Sequence, residues 1–402
     1  MSKAAPGAGE RSAIMVGGGI GGLATGLALI RRGWQVKVLE RAAAFGEVGA
    51  GLSLWPNGLR ALDALGMGDE VRGQALVETQ AGIRDTAGRW LSRTDTQELA
   101  GRFGPLVMIH RARLFDTLRA ALPAGTLCGG TRVTGVALHG RRVEVRHDGG
   151  VSQADLLVAA DGINSTVRRS LWPQAPAPRY TGYTSWRLVV DAGGRLPAGG
   201  ETWGRGERVG IAPLADGRTY LFGVANAPEG RRAPGGELAE LRRRFGGWHD
   251  PIPRLLEAAD EEAVLRHDIY TLPPLAGFTT GRAVLLGDAA HAMSPNLGQG
   301  ANQALEDAVT LAALLDTHTD VESALAAYDR DRRPRTQSIA RRSDRIGAAA
   351  QWQSAPATAV RNLLLRLTPA SAMFKSLAPI LDWEPPGHDE LAAVDVVRGP
   401  RG

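Results

Sequence analysis

Three glycines near the start of the chain, Gly17, Gly19 and Gly22, stand as G-x-G-x-x-G directly after an apolar run at residues 13–16. A helical pattern follows from about Gly21 to Arg32, and Gly33 is placed to stop it. A second apolar run at 36–39 ends in Glu40, some twenty residues past the glycines. The spacing predicts a βαβ unit of the dinucleotide-binding kind. In such a unit the first glycine makes a tight turn and the second lets the backbone approach a pyrophosphate. The third lets helix and strand pack closely, and the acid meets ribose hydroxyls. A Gly-rich turn in some other α/β protein leaves Glu40 unexplained.

A unit of this kind needs a partner surface, and residues 281–310 supply one. There GRAVLLGDAAHAMSPNLGQGANQALEDAVT runs from a short strand through Gly287-Asp288 to a turn with Pro295, Gly298 and Gly300, and into a helical pattern at Ala301. Free N–H groups at that helix start, together with the helix dipole, favour anions and polar ring edges. Gly298 and Gly300 allow backbone to lie close to a flat ligand. Asp288 is too early to cap the helix and is placed to bind sugar hydroxyls. A third stretch repeats the pattern of acid, glycine and helix start. A strand expected over 151–160 closes on Asp161-Gly162, and Ser165 is placed to cap the helix that follows.

Between these signals the chain alternates. A Gly-rich loop opens 46–66 and a helix ended by Gly66 closes it. Hairpins are expected at 78–97 and over 131–147, and a helix starts near His110. From Tyr180 to about Leu272 strands are expected at 184–191, 208–213 and 219–225, with a polar helical stretch over 228–263 broken by Pro251 and Pro253. Trp186, Trp203, Tyr220 and Phe222 give this region aromatic faces. A charged helix over 322–350 and an amphipathic stretch over 358–381 close the chain, the latter expected to cover the body of the protein.

Composition removes several function classes. Net charge is +5, but the basic residues are almost all arginine and scattered, the lysines being Lys3, Lys37 and Lys375 alone, so no nucleic-acid surface is expected. Cys128 is the single cysteine, which rules out an internal disulfide or a cysteine metal site and suits core packing. No apolar run is long enough to span a membrane, and MSKAAPGAGE has no apolar centre and reads as a short tail, as does the chain after Pro385. A soluble cytoplasmic protein is the expectation.

The three nucleotide-type signals together resemble the single-component FAD-dependent aromatic hydroxylases, the para-hydroxybenzoate hydroxylase-like family, over about residues 12–350. GLSLWPNG at 51–58 and YTGYTSWR at 180–187 are most similar to the branch of salicylate hydroxylase, FAD-dependent urate hydroxylase and zeaxanthin epoxidase. The resemblance implies an α/β fold. A Rossmann-type FAD-binding domain is built from 1–77, 101–179 and 275–350. An inserted antiparallel-sheet substrate domain comes from 78–100 and 180–274, with C-terminal helices and a tail over 351–402.

The resemblance also implies roles. Gly17, Gly19 and Gly22 hold the FAD pyrophosphate, Glu40 the adenosine ribose, and Arg41, Ser53 and Arg113 flank the cofactor. Val133 lies by the adenine, and Asp161-Gly162 is the shared FAD and NAD(P)H motif. Asp288 meets the ribityl–phosphate region, while Pro295, Gly298, Gln299, Gly300 and Ala301 run along the flavin ring. NAD(P)H is a transient co-substrate, and no second G-x-G-x-x-G occurs for it. The implied reaction is hydroxylation of a small aromatic or heteroaromatic substrate with O2 through a flavin C4a-hydroperoxide, by a monomer or homodimer.

Arg187, Arg208 and Tyr220 are the candidates to bind or activate the substrate. Asn296, being an amide, cannot act as a base, and His291 is expected to be structural. Two alternatives stay open: a flavin-dependent epoxidase of an isoprenoid or polyketide-like substrate, and a non-catalytic FAD-fold binding protein. Flavin-dependent halogenation is set aside, because no Trp-x-Trp occurs and the lysines are badly placed.

Overall fold

The computed structural model describes residues 11–43, 50–191, 193–194, 196 and 198–387. The expected tails at both ends and most of the Gly-rich loop over 46–50 lie outside these residues. The first layer is a six-stranded sheet in the order Thr279–Thr280, Ala283–Leu285, Leu156–Ala159, Ser12–Val16, Gln35–Leu39, Leu127–Cys128. All its pairings are parallel except that of Thr279–Thr280 with Ala283–Leu285. Its central strands are short and apolar because helices cover both faces. The helix Ile20–Ile30 packs on this sheet through glycine: a Cβ on Gly26 would already touch Val36 and Val38 at 3.5 Å. Cys128 is half-buried at the sheet edge and packs on the main core.

The second layer is a seven-stranded sheet, ordered Leu265–Thr271, Arg179–Val190, Thr219–Asn226, Glu207–Pro213, Gly200–Trp203, Ala81–Asp85, Trp90–Thr94. Every neighbour pair is antiparallel except Gly200–Trp203 with Ala81–Asp85, which run parallel. Its central strands alternate, with register shifts between Tyr180 and Thr184 and between Ile83 and Arg84. Trp186, Leu188, Val209 and Leu221 point to one face, under Leu238, Leu241, Phe245 and Leu255 of two short helices. Ser185, Arg187, Arg208, Tyr220 and Phe222 take the other face by the same alternation.

Three expectations need correction. The strand expected over 151–160 is two strands, Gly150–Ala154 in a separate three-stranded sheet and Leu156–Ala159 in the parallel one. Asp155 makes the break. Its carboxylate accepts from the Ser12 amide at 2.9 Å, the Ser12 hydroxyl at 2.7 Å and Arg142 Nη1 at 3.0 Å, which turns the chain from one sheet into the next.

The stretch 228–263 holds two short α-helices, Glu237–Phe245 and Ile252–Glu257, and one 3-10 turn, Glu261–Ala263. Pro251 and Pro253 stand at the start of the second helix, where a missing N–H costs nothing, so they begin a helix and do not break one. The amphipathic stretch 358–381 is two helices, Ala355–Leu367 and Ala370–Leu381, parted at Pro369. The second buries Phe374, Ile380 and Leu381 beside Leu99 and Ile339. The first leaves Val360, Leu363, Leu364 and Leu367 more than half exposed. No described helix is long and apolar enough to cross a membrane.

Behind the parallel sheet, the helices Gly300–Thr317 and Val321–Ala350 are tied by a buried ion network. Arg332 Nη1 meets Glu306 at 2.6 Å and Arg332 Nε meets Asp307 at 2.8 Å, all three side chains being fully buried. Asp307 also accepts from His291 Nε2 at 2.6 Å and from the Gly287 amide at 3.0 Å. His291 is therefore part of the framework.

At the junction of the layers, the Glu78 carboxylate accepts from the Gly199 amide at 3.2 Å. Burial pushes this carboxyl up to about 7. The folded state thus holds a proton that the unfolded chain releases near pH 4.5, and stability falls as pH rises through that interval, by about 3 kcal/mol. Glu78→Gln keeps an oxygen for Gly199 and removes the titration. Its urea midpoint is expected to fall less than the parent's between about pH 5 and about pH 8. An identical slope in both proteins would contradict the assignment.

Candidate active site

The first strand ends at Val16 and the chain turns at once. Gly17 has φ +102°, and a Cβ there would sit 2.3 Å from the Ala160 carbonyl oxygen. A Cβ on Gly22 would sit 2.0 Å from the Gly17 oxygen, so only glycine permits this turn to nest against its helix. By contrast, a Cβ on Gly19 or Gly300 would meet no protein atom within 4 Å. These two glycines face open space.

That space is a cavity of about 400 Å³ between the two layers. Gly19, Ser53, Gly162, Asp288, Pro295, Gly298, Gly300 and Ala301 line it from the parallel-sheet side. Ser185, Arg187, Glu201, Arg208, Tyr220 and Phe222 line it from the second sheet. Gly298 holds the left-handed conformation that ends the turn before the helix Gly300–Thr317.

The residues fit a flavin dinucleotide. The helices Ile20–Ile30 and Gly300–Thr317 both start without a side-chain cap and without an acid in the first turn, so their N–H groups and positive dipole ends are left for a ligand. Asp161 spends Oδ2 on the Thr166 and Val167 amides and leaves Oδ1 buried without a partner. Glu40 Oε2 accepts from the Gly18 amide at 2.8 Å and Oε1 from the Ala42 amide at 2.9 Å, which fixes the glycine loop from the far strand.

The remaining named residues are placed differently. Gly17 and Gly22 form the turn beneath the cavity and do not line it. Arg41 is exposed, and Val133 is buried in the main core. Gln299 turns inward to Asn57 and Gln303. Arg113 is exposed on the helix Arg111–Ala120, whose inner face carries Leu114, Phe115 and Leu118. Arg111 reaches the cavity instead. Two residues along a helix is more than half a turn, so the two arginines cannot share a face.

The second-sheet wall is polar and tightly tied. Arg208, 2% exposed, donates through Nη2 to Asn296 Oδ1 and reaches Glu201 Oε2 with Nη1 at 3.4 Å, while its Nε has no partner. Trp203 Nε1 donates to the same Glu201 oxygen at 2.7 Å. Asn296 Nδ2 donates to the Ser343 carbonyl at 2.9 Å and to the Tyr183 hydroxyl at 3.2 Å. Burial raises the Tyr220 phenol above its ordinary value, against the pull of Arg187 and Arg111. Sequence reading missed Glu201 and Ser185: both sit on strands whose alternation fixes parity, not which parity faces the cavity.

Residues 10–212 and 261–343 match the family described as FAD binding domain. The chain is 43% identical over 359 residues to the aurachin C monooxygenase/isomerase of Stigmatella aurantiaca, covering 88% of this chain and 93% of that protein. It is 36% identical over 368 residues to the 3-amino-4-hydroxybenzoate 2-monooxygenase of Streptomyces cremeus, covering 88% and 91%. Among solved structures, Klebsiella pneumoniae HpxO complexed with FAD and uric acid superposes with a TM-score of 0.86 at 29% identity, over 92% of this chain and 96% of that one.

Proposed function

The chain belongs to the family of the FAD binding domain and is an FAD-dependent monooxygenase. From that premise we propose that it uses NAD(P)H and O2 to oxygenate a small aromatic or heteroaromatic ring bearing an acidic hydroxyl or ring N–H. The observation that carries this reading is the cavity in which Arg187, Arg208 and Tyr220 face the Gly298–Gly300 turn.

Gly19 and the helix start behind it would hold the cofactor's pyrophosphate, with Gly17 and Gly22 shaping that turn and Glu40 and Asp161 at the ribose end, and Gly298, Gly300 and Ala301 would meet its ring. When bound, FAD supplies the electron transfer from NAD(P)H and the activation of O2 that no side chain provides. The protein does the rest. Tyr220 and Phe222 wall the ring of the substrate and exclude water. The Arg187 guanidinium has no hydrogen-bond or ion-pair partner among the described residues, and so offers its charge to an anionic substrate oxygen. Ser185 stands two residues away on the same face.

The name of the 43% identical relative, monooxygenase/isomerase, supports a second reading in which oxygen transfer is followed by rearrangement of the oxygenated ring. Product structure separates the two: a rearranged skeleton favours the second, a simple ring hydroxyl the first.

The test is oxidation of NADH and of NADPH by the yellow holoenzyme with phenols, salicylates, aminohydroxybenzoates and purines, with peroxide measured alongside. Substrate-stimulated oxidation with little peroxide is expected. Arg187→Met is expected to raise KM ten- to a hundredfold, about the 1.5–3 kcal/mol of a charge-assisted hydrogen bond. A protein that stays colourless with added FAD and oxidises neither nucleotide would overturn the reading.

A further inference from the structure

We propose that Glu201 is the proton acceptor of this site, taking the proton of the substrate hydroxyl or ring N–H through Oε1. The inference rests on the monooxygenase reading above and adds to it a residue and a step.

The argument begins at position 296. Asn296 lies in the turn Pro295–Leu297 beside Gly298, next to where the flavin ring lies in the reading above, and an amide cannot take a proton. Among the described residues, the carboxylates lining the cavity are Asp288 and Glu201. Asp288 follows Gly287 on the cofactor side of the cavity. Glu201 stands on the second sheet, on the same wall as Arg187 and Tyr220.

The setting of Glu201 is that of a positioned base. Oε2 is fixed by Trp203 Nε1 at 2.7 Å and by Arg208 Nη1 at 3.4 Å. Arg208 is in turn held by Asn296, and Asn296 by Tyr183 and the Ser343 carbonyl. Oε1 accepts no hydrogen bond among the described residues, and the side chain is 29% exposed, into the cavity it lines. The amide at 296 thus anchors the arginine, and the arginine anchors the acid. The chain has its carboxylate one link further along the same hydrogen-bonded line.

The step balances within the complex. The substrate O–H or N–H bond breaks, its electron pair stays on the heteroatom, and the proton forms an O–H bond with Glu201 Oε1. The carboxylate becomes a neutral acid while the substrate becomes an anion, so the net charge of the site does not change. The negative charge spreads from the heteroatom over the ring, and the added electron density makes the ring carbons better nucleophiles toward an electrophilic oxygen.

The experiment uses oxidised FAD holoenzyme, no NAD(P)H, and 4-nitrophenol as probe, at about one unit below its solution pKa. The parent is expected to show the anion's absorption in a difference spectrum with no proton released to a weakly buffered indicator dye. Glu201→Gln keeps an oxygen for Trp203, and is expected either to bind the probe neutral or to release a proton for each anion formed. Anion without proton release in Glu201→Gln would overturn the proposal, as would the lack of any anion signal in the parent. With a turnover substrate, the acid limb of the kcat/KM pH profile should vanish in Glu201→Gln and kcat should fall about a hundredfold or more. Asn296→Asp in the Glu201→Gln background should restore an acid limb. Because the binding measurement needs no turnover, failure to oxidise NAD(P)H would count against the monooxygenase reading and leave this one separately judged.

Discussion

Gly17→Ala yields a protein that does not retain FAD. The methyl group would lie 2.3 Å from the Ala160 oxygen and 2.6 Å from the Ala160 carbon, both backbone atoms of the residue that follows the neighbouring parallel strand Leu156–Ala159. No side-chain rotation relieves such a contact, so the turn itself must move. The φ of +102° adds strain of about 1–3 kcal/mol for any residue with a Cβ. The amides of the turn then no longer point where a pyrophosphate lies, and FAD affinity is expected to fall by at least about a hundredfold, near 3 kcal/mol. The flavin-to-protein ratio after gel filtration checks this, and a parental ratio would contradict it. Gly19→Ala is the matched control, because its methyl meets no protein atom within 4 Å. It should keep the parental melting temperature and lose affinity only through contact with the ligand.

Arg332→Met is expected to destabilise the fold by about 3 kcal/mol, since Glu306 keeps Arg335 at 2.8 Å but Asp307 is left buried without its guanidinium. Burial alone would raise the Asp307 carboxyl, but His291 and Arg332 together hold it well below the usual carboxylate range. Asp307 therefore contributes stability above the unfolded pKa, near 4, and that contribution is lost as pH falls toward the folded value. Without Arg332 the depression weakens, since His291 alone is left to offset burial, and less stability is lost on acidification. The stability deficit of the variant relative to the parent should shrink on going from about pH 5 to about pH 3, as read from urea midpoints. A deficit that stays constant would show that the network is not electrostatically coupled.

The parts of the fold that sequence revealed are those set by local geometry. The strand–glycine–helix–strand order at 12–41 is written within thirty residues, and the hairpin at 81–94 within fourteen. The parts it hid depend on distant partners. Asp155 divides a strand because Ser12, on a neighbouring strand, offers it two donors. Asn57 bonds Gln299 and Glu306 from more than two hundred residues away, which turns Gln299 inward although its neighbours Gly298 and Gly300 line the cavity. Arg111 and Arg113 differ only in helical phase, which is fixed by where the helix starts, and a motif read as HRAR does not say so. Glu201 sits in GGETWGRG, where nothing local marks it; its meaning comes from Arg208 across the strand and Asn296 across the cavity.

The parallel pairing of Gly200–Trp203 with Ala81–Asp85 has a consequence for biosynthesis. At 5–20 residues per second, the ribosome delivers the second strand roughly 6–24 s after the first. For that interval the hairpin is a two-stranded ribbon with both borders open, the form of β structure most prone to pair with another nascent chain. Arg84 and Arg93 both stack on Trp90, at 4.1 and 4.7 Å from the ring centroid, and lay positive charge across its exposed face. In the finished protein Arg93 sits on the sheet's last strand and Arg84 on the one beside it. During synthesis the same charge stands on the open ribbon while its true neighbour is still being made, and like charge on an edge opposes pairing with a second copy.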